Sequence, residues 1–441
     1  MKHIAIVGSG PAGCYLADQL LRLVPDARVD IVERLPVPFG LVRYGVAPDH
    51  QGTKAVARLL DRVLARDQLR FFGNVEVGRD VRLDELKELY DAVVLATGAP
   101  RDRRLGIPGE SLPGVVGSAS FVGWYNGHPD CVAPPLLDVR EAVVIGNGNV
   151  AIDVARVLAK NAAELAGSDL SPQVHERLLA QRIETIHIVG RRGPADAKFT
   201  RAELAELGKL ANARPVIAEP QALTEPQALA QPQALATPQP PQHAQAPERS
   251  QASGESAAIL ELLRGFAQSQ DARESAVRIV FHFGATPLAF EGRERLESVR
   301  FARAGGEPLV LPAQLAVSCI GYQAIDCCTA APNAGVFVNE DARIDDGLFV
   351  TGWAGRGPSG TIPTNRTEAQ RVAQRIAAEL TEHGRGGGEA LAARLAARGV
   401  RVIDHAAWRR IDAAELARAG ADRCRHKFES IEAMLEAAGA R

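Results

Sequence analysis

The chain contains one local pattern twice, and this repetition limits the folds open to it. The first copy, HIAIVGSGPAGCYLADQLLR, starts at His3, and the second, EAVVIGNGNVAIDVARVLAK, starts at Glu141. In each copy an apolar strand passes through closely spaced glycines into an amphipathic helix, and a further strand follows at 27–33 and 183–190. Such βαβ units form parallel sheets with right-handed crossovers. The sequence therefore predicts an α/β protein with two Rossmann-like dinucleotide-binding domains.

The first glycine turn carries Gly8, Gly10 and Gly13 in GSGPAG. Glycines at this spacing let the backbone approach a pyrophosphate, which then sits at the N-terminus of the following helix. Glu33 ends the next strand, where a carboxylate can accept hydrogen bonds from a ribose diol. The first unit therefore predicts a dinucleotide with an unmodified ribose, and a purely structural glycine turn is the alternative.

The second unit ends differently, because its second strand leads into Arg191 and Arg192. An acid at this place would repel a 2′-phosphate, whereas a guanidinium fork binds phosphate through two hydrogen bonds. The pair therefore predicts NADP rather than NAD, and a solvated basic turn is the alternative. Two such sites in one chain indicate a flavoprotein in which NADPH passes hydride to FAD.

Composition narrows the choice of cofactors and partners. The formal net charge of −2 gives no overall attraction to nucleic acid or to an anionic membrane. No uninterrupted apolar run reaches about 18 residues, so we expect no membrane span. The cysteines form no C-x-x-C pair, which argues against a zinc site, an iron–sulfur centre or a dithiol in this chain; they are Cys14, Cys131, Cys319, Cys327, Cys328 and Cys424. We expect no metal, and a soluble cytoplasmic protein without a signal peptide.

Low-complexity sequence interrupts the second unit at about 215–256, where PQALTE, PQALAQ and PQALAT follow one another from Pro220. Such composition cannot bury a core, so we expect a disordered insert, with a recognition arm as the alternative. The order of the motifs predicts a discontinuous FAD domain formed by 1–105 and 326–441. The NADP domain, 106–325, is inserted between these two parts.

Seven motifs together resemble the adrenodoxin-reductase-type ferredoxin–NADP reductases: GSGPAG, VPFGLVRYGVAPDH, GNVEVGRDV, FVGWYNG, GNGNVAIDVAR, VGRRGP and GW…RGPSGTI…TN. The resemblance covers nearly the whole chain except the insert. Generic two-domain flavoproteins often carry Gly-Asp at the third glycine-rich strand end, whereas this chain carries Gly352-Trp353, as the adrenodoxin reductases do. The resemblance implies transfer of electrons from NADPH through FAD to a ferredoxin-like iron–sulfur protein.

The resemblance also implies roles for individual residues. FAD is expected to be held by Gly8, Gly10, Ala12, Gly13, Glu33, Leu41, Val77, Trp353, Gly360, Thr361 and Ile362. NADP is expected to be held by Asn147, Gly148, Asn149, Val150, Arg191, Arg192, Glu203 and Gly360. His50 and Asp153 match a histidine and an acid that the family places near the flavin, where they are expected to handle protons.

Each of these roles has a simpler alternative. Several of the predicted FAD residues are apolar and could simply pack in the core. His50 could be a satisfied loop histidine, Asp153 could only orient its helix, and Glu203 could belong to a capping box opened by Thr200.

Two other functions remain open at this stage. The first is the NADPH-oxidising FAD module of a larger complex, such as the small subunit of a glutamate synthase; the missing iron–sulfur cysteines count against it. The second is a nucleotide-sensing protein without enzymatic activity. The acceptor is also less sharply predicted than the cofactors, because the segment around Arg264 is poorer in arginine than the family's docking surface.

Overall fold

The computed structural model describes residues 1–136, 138–223, 249–269, 277–303, 306–326 and 332–439. The chain divides into two compact units. Unit 1 consists of Met1–Arg101, Asn126–Asp130 and Tyr322–Arg441, and unit 2 of Asp102–Tyr125 and Cys131–Gly321.

The elements follow one another along the chain in three stretches. The first stretch contains β1 (Lys2–Val7), α1 (Pro11–Leu23), β2 (Ala27–Glu33), α2 (Leu41–Tyr44), α3 (Gln51–Lys54), α4 (Ala57–Leu64), β3 (Leu69–Gly73), α5 (Leu83–Leu89), β4 (Ala92–Leu95) and the short β5 (Arg101–Asp102). The second contains β6 (Val115–Gly117), α6 (Ser118–Tyr125), β7 (Glu141–Ile145), α7 (Asn149–Ala159), α8 (Ala162–Leu165), α9 (Pro172–Leu179), β8 (Thr185–Gly190), α10 (Arg201–Leu207), β9 (Ala213–Ile217), α11 (Arg249–Gln268), β10 (Val277–Phe283), β11 (Ala285–Glu291), β12 (Ser298–Arg303), β13 (Leu309–Pro312) and β14 (Leu315–Ser318), with 3-10 turns at Pro194–Asp196 and Pro220–Leu223. The third contains β15 (Tyr322–Gln323), β16 (Arg343–Asp345), β17 (Leu348–Val350), α12 (Trp353–Arg356), α13 (Ile362–Glu379), α14 (Gly387–Ala397), α15 (His405–Ala417) and α16 (Ile431–Ala437).

Unit 1 is built on a six-stranded sheet with the order β16-β17-β4-β1-β2-β3. All neighbours are parallel except β16, which runs antiparallel to β17. Successive side chains of β1 point to opposite faces: Ile4 and Ile6 join the core that contains α1 and α13, and Ala5 and Val7 join the core that contains α5 and α14. Because helices cover both faces of the sheet, strands such as β4 and β17 contain continuous apolar sequence rather than an alternation of apolar and polar residues.

Unit 2 repeats this architecture with a six-stranded, all-parallel sheet in the order β6-β14-β7-β8-β10-β9. A separate antiparallel sheet, β11-β12-β13, packs Phe290 and Phe301 against Val143 and Ile145 of the main sheet. The predicted α/β class with two Rossmann-like domains is confirmed. In each sheet the strand before the glycine turn lies where the strand order changes direction, which is where open α/β sheets bind ligands.

The structure differs from the sequence-based boundaries at several points. Residues 215–217 of the predicted insert belong to β9, which pairs with β10, and α11 already begins at Arg249. Pro215 fits in β9 because this strand is at the edge of its sheet, where a missing N–H costs no ladder bond. The rest of the insert, 224–248, lies outside the described residues.

Two further differences concern short segments. Residues 126–130 belong to unit 1 rather than to the inserted domain, because Asn126 Oδ1 accepts a 2.9 Å hydrogen bond from Lys54 Nζ. The antiparallel sheet of β11, β12 and β13 lies outside the two predicted βαβ units. In the part of the chain that the structure describes, no helix combines the length and the apolar character needed to cross a membrane.

Candidate nucleotide-binding sites

The glycine turn after β1 is shaped by contacts of the chain with itself. Gly8 has a φ of +111°, and a Cβ atom on it would lie 2.4 Å from the carbonyl oxygen of Ala96. A Cβ atom on Gly13 would lie 2.1 Å from the carbonyl oxygen of Gly8, so both positions exclude any side chain. A Cβ atom on Gly10 would meet nothing within 4 Å. The turn therefore leaves open space at Gly10, directly before α1.

The first turn of α1 offers hydrogen-bond donors to this space. Gly10 is the N-cap residue and provides no side-chain acceptor, and Pro11 follows as the first helical residue. The free N–H groups of a helix N-terminus and its dipole attract anions. Ala12 and Gly13 lie in this first turn, so their backbone groups border the open space at Gly10.

Glu33 lies at the end of β2 and is held by three donors. Its Oε2 accepts hydrogen bonds from the backbone N of Ser9 at 3.0 Å and from Ser9 Oγ at 2.6 Å. Its Oε1 accepts one from the backbone N of Leu35 at 3.1 Å. An ionised carboxylate has about four acceptor positions, so Glu33 keeps capacity for a ribose hydroxyl. Sequence reasoning missed Ser9, which orients this carboxylate from inside the glycine turn.

Two threonines at neighbouring strand ends carry buried hydroxyl groups that are not satisfied by the described residues. Thr97 follows β4 and Thr351 follows β17, and the Oγ1 atom of each is buried without a hydrogen-bond partner. An unpaired buried hydroxyl is costly, and a polar group of a ligand at this edge would remove that cost. Sequence reasoning missed both residues, although each stands directly before a glycine at the end of an apolar run.

A glycine-rich loop connects β17 to α13 and contains Trp353 and Gly360. The Trp353 ring stacks on Tyr322, with ring centroids 5.9 Å apart, and its Nε1 donates to the carbonyl oxygen of Ser359 at 3.0 Å. Gly360 has a φ of +80°, and both Gly360 and Thr361 are exposed. The backbone of this loop is therefore accessible to a ligand just before α13 begins at Ile362.

Two further predicted FAD residues, Leu41 and Val77, and the predicted proton-handling residue His50 also belong to unit 1. Leu41 begins α2 and is 43% exposed, and two residues before it Phe39 donates its backbone N–H to the carbonyl oxygen of Ser9 in the glycine turn at 3.1 Å. Val77 is half-buried against the core that includes α5 and α14. His50 is also half-buried and donates its backbone N–H to Ala47 at 3.0 Å.

The second glycine turn, in unit 2, resembles the first in its backbone conformation and in its open space before the helix. Gly146 has a φ of +144°, and a Cβ atom on it would lie 2.4 Å from the carbonyl oxygen of Cys319. Gly148 caps α7 without a side-chain hydrogen bond, and a Cβ atom on it would meet nothing within 4 Å. Both amide atoms of the Asn147 side chain are buried and have no hydrogen-bond partner among the described residues. The second turn therefore also fits a pyrophosphate, with Asn147 providing unsatisfied polar atoms.

A loop from the end of β8 folds back onto this turn. The backbone N of Lys198 donates to the carbonyl oxygen of Asn147 at 2.6 Å, and the backbone N of Thr200 donates to Asn149 Oδ1 at 2.8 Å. Thr200 caps α10, since its Oγ1 accepts from the backbone N of Glu203 at 3.3 Å. Only this half of the capping box is formed, because the backbone N of Thr200 donates to Asn149 and not to the Glu203 side chain. Val150 is half-buried in the first turn of α7.

Arg191 and Arg192 directly follow β8 and are exposed. Neither guanidinium forms an ion pair or a hydrogen bond with any residue that the structure describes, whereas most arginines of unit 1 are paired with carboxylates. Two adjacent cations without a local carboxylate are available to a phosphate.

Asp153 lies on α7 and forms an ion pair with Arg156 at 2.7 Å. The Arg156 side chain is only 1% exposed, so Asp153 neutralises a buried cation one turn further along its own helix. This contact supports the interpretation that Asp153 orients its helix, and it leaves the proton-handling role a prediction.

Among the described cysteines, Cys14 and Cys319 form no disulfide bond. Burial raises the pKa of the Cys14 and Cys319 thiols well above the usual range, so neither provides a thiolate near neutral pH.

Comparisons with known proteins agree with this arrangement. The family model described as pyridine nucleotide-disulphide oxidoreductase matches residues 2–189, which include both glycine turns. The chain is 38% identical to the mitochondrial NADPH:adrenodoxin oxidoreductase of Homo sapiens, covering 99% of this chain and 92% of that protein. It is 36% identical to the NADPH-ferredoxin reductase FprA of Mycobacterium tuberculosis, covering 94% of each.

The three-dimensional similarity extends equally far. The structure of Mycobacterium tuberculosis FprA in complex with NADPH matches with a TM-score of 0.87 at 35% identity, covering 99% of this chain and 100% of that one. In sequence, this chain is also 36% identical to the cindoxin reductase of Citrobacter braakii, covering 98% of this chain and 90% of that protein. The chain therefore belongs to the adrenodoxin-reductase-type family of ferredoxin–NADP reductases.

Proposed function

We propose that the protein transfers electrons from NADPH through FAD to a one-electron iron–sulfur acceptor of the ferredoxin or adrenodoxin type. The observation that carries this proposal is the contrast between two otherwise similar glycine turns. In unit 1 the second strand of the βαβ unit ends in Glu33, whereas in unit 2 the corresponding strand, β8, is directly followed by Arg191 and Arg192. A carboxylate suits a free ribose and arginines suit a 2′-phosphate, so each unit selects a different nucleotide.

FAD is assigned to unit 1. Its pyrophosphate would be held by the open first turn of α1, and its ribose by Glu33, which Ser9 orients. The unsatisfied hydroxyls of Thr97 and Thr351 add polar groups at the same edge of the sheet. Roles for Leu41, Val77 and the 360–362 backbone rest on the family resemblance together with their measured exposure.

NADPH is assigned to unit 2. The first turn of α7 and the Asn147 side chain would hold its pyrophosphate, and Arg191 and Arg192 its 2′-phosphate. Asn149 contributes by fixing the loop that leads to Thr200. Direct contacts of Glu203 and Gly360 with NADPH remain predictions from the resemblance.

FAD, when bound, accepts a hydride from NADPH and can release its two electrons singly to an iron–sulfur protein. The task of the chain is then positioning, because hydride transfer requires close and aligned reactants but no protein nucleophile. His50 and Asp153 are proposed to handle protons. We also propose a cytoplasmic location, since reduced thiols such as those of Cys14 and Cys319 are typical of a reducing compartment.

A direct test is the reduction of a purified [2Fe–2S] ferredoxin by the FAD-loaded protein. We expect reduction that requires NADPH, FAD and the protein together. Reduction of free ferricyanide but of no iron–sulfur protein, across plant-type and adrenodoxin-type ferredoxins, would contradict the proposed acceptor. Failure of the protein to bind FAD would contradict the whole proposal.

A further inference from the structure

Arg356, at the end of α12, holds together the loop between β17 and α13. Its Nε donates to the carbonyl oxygen of Ser359 at 3.2 Å, and its Nη2 donates to Asn365 Oδ1 at 3.0 Å. Its Nη1 forms an ion pair with Glu368 Oε2. One guanidinium therefore ties the middle of the loop to the first two turns of α13.

Glu368 extends this connection to the start of the loop. Its second oxygen, Oε1, accepts a hydrogen bond from the backbone N of Gly352 at 3.1 Å. Gly352 in turn packs closely on α1, since a Cβ atom on it would lie 2.6 Å from the Cβ atom of Ala12. The Arg356–Glu368 pair thus fixes the loop relative to α1, the helix that follows the first glycine turn.

The pair is well shielded from water and shares its contacts with Trp353. The side chains of Arg356 and Glu368 are 21% and 12% exposed. The Ser359 carbonyl oxygen that accepts from Arg356 Nε also accepts from Trp353 Nε1. Removing the guanidinium would therefore release the segment that positions the indole ring.

We infer that Arg356 and Glu368 are positioning residues that hold the 352–361 loop in the conformation required for FAD binding. The inference rests on the proposed function, because the loop carries the predicted contacts of Trp353, Gly360 and Thr361. Neither residue needs to touch the cofactor. The three contacts require a planar guanidinium, whose N–H groups donate to three separate acceptors. A lysine ammonium group cannot reproduce this geometry.

Two measurements on Arg356→Met, Arg356→Lys and Glu368→Gln test this inference. The first is hydrogen exchange of the 352–361 segment in the FAD-free protein, followed by mass spectrometry. Arg356→Met should lower protection about tenfold, which corresponds to about 1.4 kcal/mol. Arg356→Lys should fall between wild type and Arg356→Met. Glu368→Gln keeps an acceptor for Gly352 and removes only the ion pair, so its effect should be smaller than that of Arg356→Met.

The second measurement is FAD affinity, obtained by titrating the FAD-free protein and following quenching of flavin fluorescence. Affinity should fall in the same order as protection. The double variant Arg356→Met, Glu368→Gln should bind FAD only slightly more weakly than Arg356→Met alone, because both substitutions remove the same ion pair.

The matched control is Arg371→Met on the same helix. Arg371 pairs with Asp341 at the surface, where both side chains are 52% exposed, so its loss should change neither measurement. Unchanged protection and FAD affinity in Arg356→Met, or equal changes in Arg371→Met, would overturn the inference. If the wild-type protein binds no FAD, the proposed function fails, and the hydrogen-exchange result still decides whether the pair holds the loop.

Discussion

The two arginines after β8 give the sharpest prediction about nucleotide choice. We consider Arg191→Ala, Arg192→Ala and the double variant. Both side chains are exposed and unpaired within the described residues, so their replacement disturbs no internal contact. The loss should therefore appear in binding of the 2′-phosphate and not in folding.

The magnitude follows from the exposure of the site. A hydrogen bond to a charged group contributes about 1.5–3 kcal/mol, and solvent and salt reduce this to about 1–2 kcal/mol for each exposed guanidinium. The double variant should lose about 2–4 kcal/mol, which lowers kcat/KM for NADPH by roughly 30–900-fold. NADH has a hydroxyl group at this position, so its kcat/KM should change by less than about threefold.

The assay is initial-rate kinetics of ferredoxin reduction with NADPH and with NADH at one fixed salt concentration. Arg182→Ala is the control, because it removes an exposed arginine at the opposite end of the same strand. Equal losses for NADPH and NADH, or a comparable loss in the control, would refute a 2′-phosphate role.

The other predictions concern the glycine turn and a buried histidine pair. Gly13→Ala should lower both urea stability and FAD affinity, because its methyl group would overlap the Gly8 carbonyl. Gly10→Ala should change stability by less than about 0.5 kcal/mol and still weaken FAD binding; equal stability losses would contradict the geometry. His187 Nδ1 lies 3.0 Å from His282 Nε2, and burial lowers their pKa values to about 4 and about 3. In the unfolded chain both rings take up protons below about pH 6.5, so the pair should cost about 2–4 kcal/mol of stability at about pH 5 relative to pH 7.5. The free energy of unfolding, measured with urea at both pH values, should differ less between them in a His187→Asn, His282→Asn variant. An unchanged difference would refute the histidine pair as its cause.

Local sequence signals were sufficient for the two glycine turns and their strands. Gly8 and Gly13 are required by backbone contacts within a few residues of each other or with the adjacent strand, so their spacing alone predicts the turn. The positions of Glu33 at the end of β2 and of Arg191 and Arg192 directly after β8 also follow from the local sequence, and their roles as nucleotide ligands stay predictions.

Features that depend on distant residues were not predicted. The buried hydroxyls of Thr97 and Thr351 become a feature only when β4 and β17 lie side by side. The Arg356–Glu368 pair joins two helices, and nothing in the local sequence indicates its partner. The low-complexity composition places the start of the insert at Pro215, and nothing local shows that this residue belongs to a strand; only the edge position of β9 in the sheet makes a proline acceptable there.

The central claim is that NADPH delivers its electrons to FAD in this protein and that FAD passes them to an iron–sulfur acceptor. Its most direct test is anaerobic mixing of the FAD-loaded protein with one equivalent of NADPH while the visible flavin absorption is recorded. We expect loss of that absorption with NADPH, much slower loss with NADH, and its return when at least two equivalents of oxidised ferredoxin, each accepting one electron, are added. A flavin that NADPH leaves oxidised, or that NADH reduces equally fast, would contradict it.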